Sequence, residues 1–190
     1  MADLAAAANA GAPVDDVIPF ALAPALVGVD QPLDYSTRAG QNLYASAIAE
    51  LPYRFTGKEA SLPAFLQAIR DRSAQAGWND IFSITIGLDA QGNNINRDLL
   101  TQYGEISLLN VRTDATNDYI GHQVRNAQVS HQIYQCLKKS ITDSVAERMV
   151  TEAENYIING FPDGPSFLMT LIQVFFVKTE AATSQTSIGP

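Results

Sequence analysis

The run FLMTLIQVFFV (167–177) restricts most severely what this chain can fold into. Nine of its eleven side chains are apolar, with only Thr170 and Gln173 between them. A surface helix carries an apolar stripe on one face, whereas a helix that is apolar all round has to be buried on every side. The run is too short to cross a membrane, which takes about 18–20 residues. The segment C-terminal to it (TEAATSQTSI, 179–188) is largely polar and offers little to cover it. The cover therefore has to come from earlier in the chain or from a neighbouring molecule. The first case makes the segment the central helix of a bundle. The second makes Phe167, Leu168, Leu171, Ile172, Phe175 and Phe176 a candidate self-association surface. Burying each such side chain is worth about 1.5–3 kcal/mol, so leaving even three of them wet forfeits several kcal/mol. Exposed apolar patches of that kind mark interfaces.

The remaining periodicity is mostly helical. Ser36 or Thr37 opens a segment in which Leu43, Tyr44, Ala47, Ile48 and Leu51 share a face, closed by Pro52. Ser61 is placed to cap a second helix with Pro63 in its first turn, an apolar stripe of Leu62, Phe65, Leu66 and Ile69, and Gly77 as C-cap. Residues 78–88 read both ways: Trp78, Ile81 and Phe82 suit a helical turn, while Ile84, Ile86 and Leu88 alternate as in a strand. A short helix with Leu99, Leu100 and Tyr103 is expected before Gly104. A long one is expected from about Thr116 to Lys139, with Tyr119, Val124, Ala127, Tyr134 and Leu137 inward. Ser144 and Glu147 have capping-box spacing ahead of Val145, Met149, Ala153, Tyr156 and Ile157, with Gly160 as the stop. Asp163 and Pro165 start the apolar helix. Residues 1–34, rich in Ala and Pro, read as a flexible or extended arm, either docking on a neighbour or acting as a spacer. The expected organisation is an arm (1–34), one helical domain (35–183) and a C-terminal linker or tail (184–190). The expected fold class is all-α, a compact bundle of about six to eight helices.

No constellation of residues in the sequence suggests catalysis. The chain's net charge of -8 argues against direct nucleic-acid binding, which needs clustered Lys and Arg. His122, His131 and Cys136 are the only soft metal ligands, and on one helix two histidines nine residues apart point to opposite faces. No zinc spacing, nucleophile elbow or phosphate loop is present. The loop DAQGNNIN (89–96) resembles a calcium loop only faintly: Asn94 stands where the loop needs Gly and Leu100 where it needs a bidentate Glu. No cofactor or metal is expected, and the single cysteine points to a reducing compartment.

Several short motifs nevertheless occur in a recognisable order. LDYS (33–36) precedes Gly40, Leu43-Tyr44 and Ala47, then come Phe55-Thr56-Gly57, LPAFLQAI (62–69), AGWNDIFSI (76–84), LLTQYG (99–104) and QIYQCLKKSI (132–141). This order resembles the capsid region of Gag polyproteins from LTR retrotransposons, in which an F-x-G precedes a helix, a Trp-centred segment comes next, and the helices end in an L-x-x-S stretch. The resemblance spans roughly residues 33–180. It implies an all-helical N-terminal capsid domain of retroviral type, a structural protein and not an enzyme. Such a domain self-associates into a virus-like particle shell around the element's RNA, in the cytoplasm. A second helical domain and a Cys-Cys-His-Cys zinc knuckle have no counterpart in these residues. The partner implied is therefore the chain itself, with RNA reached only indirectly and no membrane involved. The alternative expectation is an intracellular helical adaptor, a domesticated Gag-derived domain that binds a protein without assembling.

Overall fold

The computed structural model describes residues 32–120 and 124–177. The expected arm up to residue 31, His122, the side chain of Tyr119 and the tail from residue 178 lie outside what is described. The architecture is helix-dominated, with seven α-helices among the described residues and two small antiparallel hairpins. The expectation of an all-α chain is corrected by those hairpins.

The first half is built from α1 (Arg38–Ala47) and α2 (Leu62–Ala76). Thr37 caps α1, its hydroxyl accepting from the Gly40 N–H at 3.1 Å. Gly40 is required here, since a Cβ would stand 1.7 Å from the Asp34 carbonyl oxygen. The expected α2 stripe is buried, and Gly77 ends the helix in the left-handed region at φ 73°. Next, a single 3₁₀ turn (Asn79–Phe82) leads into strand β1 (Ser83–Leu88), so both readings of residues 78–88 apply, one after the other. Strand β2 (Asn94–Asp98) pairs with β1 around a tight loop. The expected helix at Leu99–Tyr103 is instead a turn. The Asp98 carboxylate accepts from the Leu100 N–H and the Thr101 hydroxyl, both at 2.9 Å, and only Tyr103–Glu105 makes one 3₁₀ turn.

Helices α3 (Leu108–Ile120) and α4 (Val124–Lys139) come next, the first starting earlier than the periodicity indicates. Helix α5 (Asp143–Val150) starts one residue before Ser144. Its N-cap is Thr142, whose N–H donates to the Phe55 carbonyl at 3.0 Å, so Ser144 and Glu147 do not form the expected box. Nor does the helix reach Gly160. It gives way to one turn, α6 (Ala153–Tyr156), and a hairpin of β3 (Ile157–Ile158) and β4 (Phe161–Pro162). The turn between the strands has Asn159 at φ 50° and Gly160 at φ 84°, the Asn-Gly conformation that two-residue hairpins favour.

Helix α7 (Gly164–Ile172) is the apolar segment, and all nine of its residues are buried. Its cover comes from α3, α4 and α6. Phe167 meets Tyr134 and Tyr156 edge-on, with ring centroids 5.3 and 4.9 Å away. A π-helical turn (Gln173–Val177) continues it and brings Phe175 and Phe176 within 5.7 and 5.9 Å of the Phe55 ring. The four innermost side chains (Phe167, Leu168, Leu171, Ile172) contribute about 6–12 kcal/mol of burial. That is as large as the net stability of a typical domain, about 5–15 kcal/mol.

Such burial needs close approach, which Gly164 permits. A Cβ there would sit 2.5 Å from the Ile133 Cβ and 2.6 Å from the Ser130 carbonyl oxygen on α4. Alanine gains up to about 1 kcal/mol over glycine as a helix former, whereas overpacking a core costs about 1–3 kcal/mol. Gly164→Ala is therefore expected to lower the urea midpoint with an unchanged slope. A raised midpoint would mean that α4 and α7 are not in contact at this point.

Candidate functional site

Four of the six residues nominated for self-association lie inside the fold. Phe167, Leu168, Leu171 and Ile172 are buried by the chain's own helices, which corrects their assignment to an external surface. Phe175 and Phe176 are partly buried and packed against the core, chiefly on Phe55. Of the two readings of the apolar segment, the central helix describes Gly164–Ile172. A contact role is left only to the turn after it.

Large apolar side chains reach solvent elsewhere. Helix α3 turns Leu108, Val111 and Ala115 inward and leaves Leu109 73% exposed. Leu109 precedes Arg112 by about one helical turn, and the two share a flank. The Arg112 guanidinium donates to the carbonyls of Glu154 and Asn155 at 2.7 and 2.6 Å, tying that flank to the end of α6. Immediately beyond stands Ile157, the outward residue of β3, which pairs with Pro162, while Phe161, the partner of the buried Ile158, is exposed as well. The α3–β3 flank thus carries exposed apolar side chains, and no periodicity argument singles it out. The Asn-Gly dipeptide is its one readable signal, because it separates two apolar strands from what otherwise scans as a continuing helix.

The titratable groups serve the fold. Asp163 caps α7: its carboxylate accepts from the Ser166 N–H at 2.8 Å and from the Ser130 hydroxyl at 2.5 Å. Burial pushes its carboxyl above the ordinary range, against the opposing pull of those hydrogen bonds and of Arg112. Asp114 accepts from the Thr85 N–H at 2.6 Å, pinning α3 to β1, and burial raises its carboxyl too. The exposed Asp89 accepts from the N–H groups of Gln91 and Asn93 at 2.8 Å, and its hydrogen bonds, those to Asn93 foremost, lower its pKa. Its carboxylate thus closes its own hairpin loop. The Cys136 thiol, buried and pushed up to about 11, donates to the Ala49 carbonyl at 3.3 Å. Burial lowers His131, whose Nδ1 has no partner among the described residues. No group of three or more His, Cys, Asp or Glu is placed to hold a metal ion among the described residues. No described helix is long and apolar enough to cross a membrane.

The motifs met in sequence become joints around α4. Gln128, 0% exposed, accepts from the Leu33 N–H at 2.7 Å and donates to the Leu33 carbonyl at 3.1 Å, as a neighbouring strand would. One turn later Gln132, 2% exposed, accepts from the Trp78 indole at 3.0 Å and donates to the Tyr35 hydroxyl at 2.8 Å. Burial pushes the Tyr35 phenol up to about 12. The folded unit consequently takes in Leu33, inside the expected arm. Phe55 donates to the Ser140 carbonyl at 2.8 Å, while the Ser140 hydroxyl accepts from the Leu51 N–H at 2.8 Å. The F-x-G and L-x-x-S segments therefore meet. Gly57, at φ 82°, gives the Phe175 ring room, since a Cβ there would be 3.0 Å from it. Sequence reasoning passes over Gln128, Gln132 and Ser140, because polar side chains on an amphipathic helix are ordinarily assigned to solvent.

No protein-family model matches the chain, and neither a curated protein nor a solved structure matches it.

Burial makes the protonated Asp163 the form the fold favours. Its contribution is full below the ordinary carboxyl value of 3.8 and is lost as pH rises through the raised value. Asp163→Asn retains an oxygen for Ser166 and carries no charge. The stability of this variant relative to the parent should rise as pH climbs above 3.8 and level off past the raised value, in urea titrations. An offset that does not change with pH would contradict a buried, upshifted carboxyl.

Proposed function

We propose that the chain is a structural, Gag-like capsid domain whose work is contact between copies of itself in a cytoplasmic virus-like particle around retrotransposon RNA. The observation that carries this reading is that the segments bearing the resemblance are the joints of one folded unit: LDYS and Trp78 meet QIYQ, and F-T-G meets LKKS. The α3–β3 flank supports it as well, offering Leu109 and Ile157 on supports already fixed by Arg112.

A helical adaptor is the alternative. Its mark would be a groove able to seat a partner helix or peptide. Two hollows among the described residues measure about 230 Å³ (over Phe82 and Leu100, beside Arg70 and Asp98) and about 280 Å³ (beside Pro52 and Arg72). Both fall under the roughly 300–1,000 Å³ of ordinary small-molecule sites.

With a net charge of -8, copies repel one another at low salt, and screening relieves that repulsion. Light-scattering mass should climb above one subunit as protein and salt concentrations rise. Leu109→Asp, a change at a solvent-facing position, should hold the protein monomeric with its helical content intact. A parent that stays monomeric at every concentration and salt would oppose self-association of this chain. A parent that assembles equally well with Leu109→Asp would move the contact to another face.

A further inference from the structure

We infer that Asn159-Gly160 is a site of spontaneous covalent modification, at which the asparagine amide is lost and the backbone isomerises. The chemistry needs a nucleophilic backbone nitrogen unhindered by a side chain, next to an accessible carboxamide. Attack by the Gly160 nitrogen on the Asn159 side-chain carbonyl carbon forms a C–N bond and closes a five-membered succinimide. The carboxamide nitrogen leaves as ammonia and takes up the proton released from Gly160. Water then opens the ring at either carbonyl, giving aspartate or, through the other bond, isoaspartate. No oxidant or enzyme is required.

Sequence and geometry favour this position among the described residues. Asn159 is the only asparagine in the chain with glycine after it. Both residues are exposed, and a Cβ built on Gly160 meets nothing within 4 Å, so space over its nitrogen is open. Neither the Asn159 carboxamide nor the Gly160 N–H has a hydrogen-bond partner among the described residues. Ring closure requires the peptide between them to rotate out of the turn. The strands restraining it are only two residues each, and a hairpin of that size opens locally at small cost.

Asp163-Gly164, four residues on, has the same succinimide chemistry available and the opposite environment. The Gly164 N–H donates to the Ser130 hydroxyl at 3.0 Å, the carboxylate is held by Ser130 and Ser166, and the peptide is wedged against Ile133. The fold thus exposes one reactive pair and locks the other. Conversion at residue 159 adds a negative charge and, in the isoaspartyl product, an extra backbone atom. A two-residue turn cannot absorb that atom without separating Ile158 from Phe161.

The test is a time course of the full chain at mildly alkaline pH, in native buffer and in denaturant, read by mass spectrometry of the tryptic peptide 149–178 with isoaspartate detection. In native buffer, amide loss at Asn159 is expected to outpace that at Asn155 in the same peptide, with no isoaspartate at residue 163. In denaturant, residue 163 should begin to isomerise as well. Asn159→Gln should abolish the native-state product. Native conversion at Asn159 no faster than at Asn155, beside rapid conversion in denaturant, would show that the hairpin protects the site and would overturn the inference. So would isoaspartate forming at residue 163 as fast as at 159 in the native protein.

Discussion

The rest of the fold depends on the contact between α4 and the start of α7. A helix apolar on all sides is stable only inside, and α7 reaches the inside because Gly164 lets its backbone lie against Ile133 and Ser130. Close approach of two backbones strands polar groups, and here most are satisfied locally, the Ser166 hydroxyl being left without a partner among the described residues. Ser130 donates to Asp163 and accepts from the Gly164 N–H, while Asp163 caps the helix through Ser166. An unpaired buried donor or acceptor costs about 1–3 kcal/mol, so this small network permits the burial. The apolar area supplies the stability.

From α4 the order spreads outward through groups that bind backbone more than they bind one another. Gln128 holds Leu33, Ser140 holds Leu51 and Phe55, Arg72 gathers the carbonyls of Ala47 and Ala49 at the end of α1, and Arg112 does the same at the end of α6. A side chain that binds backbone fixes where a segment runs without specifying that segment's own side chains.

How far the fold is legible in the sequence depends on the range of each interaction. The N-caps Thr37 and Asp163, the left-handed Gly77 and the buried stripe of α2 depend on neighbours within one or two turns, and all are legible. The burial of 164–172 is legible as a demand. Its cover is not, because Ile133 lies thirty-one residues from Gly164 in the chain. That distance is why Phe167, Leu168, Leu171 and Ile172 can equally be read as an outer surface. Buried glutamines look like surface residues until Trp78 and Tyr35 are brought to them, and the β3–β4 hairpin shows in sequence only through its Asn-Gly turn, because its strands are too short to show alternation. The exposed Leu109 is illegible for a simpler reason: one apolar residue off the stripe is ordinary on any helix.

With its interior occupied in these ways, the proposed self-association falls to the surface. Hydrogen–deuterium exchange of dilute and of concentrated, high-salt protein tests this most directly. Amides of α4 and α7 are expected to exchange equally slowly in both, while new protection appears along the α3–β3 flank around Leu109 and Ile157. New protection confined to α7, or none at any concentration, would contradict a domain that works through that flank.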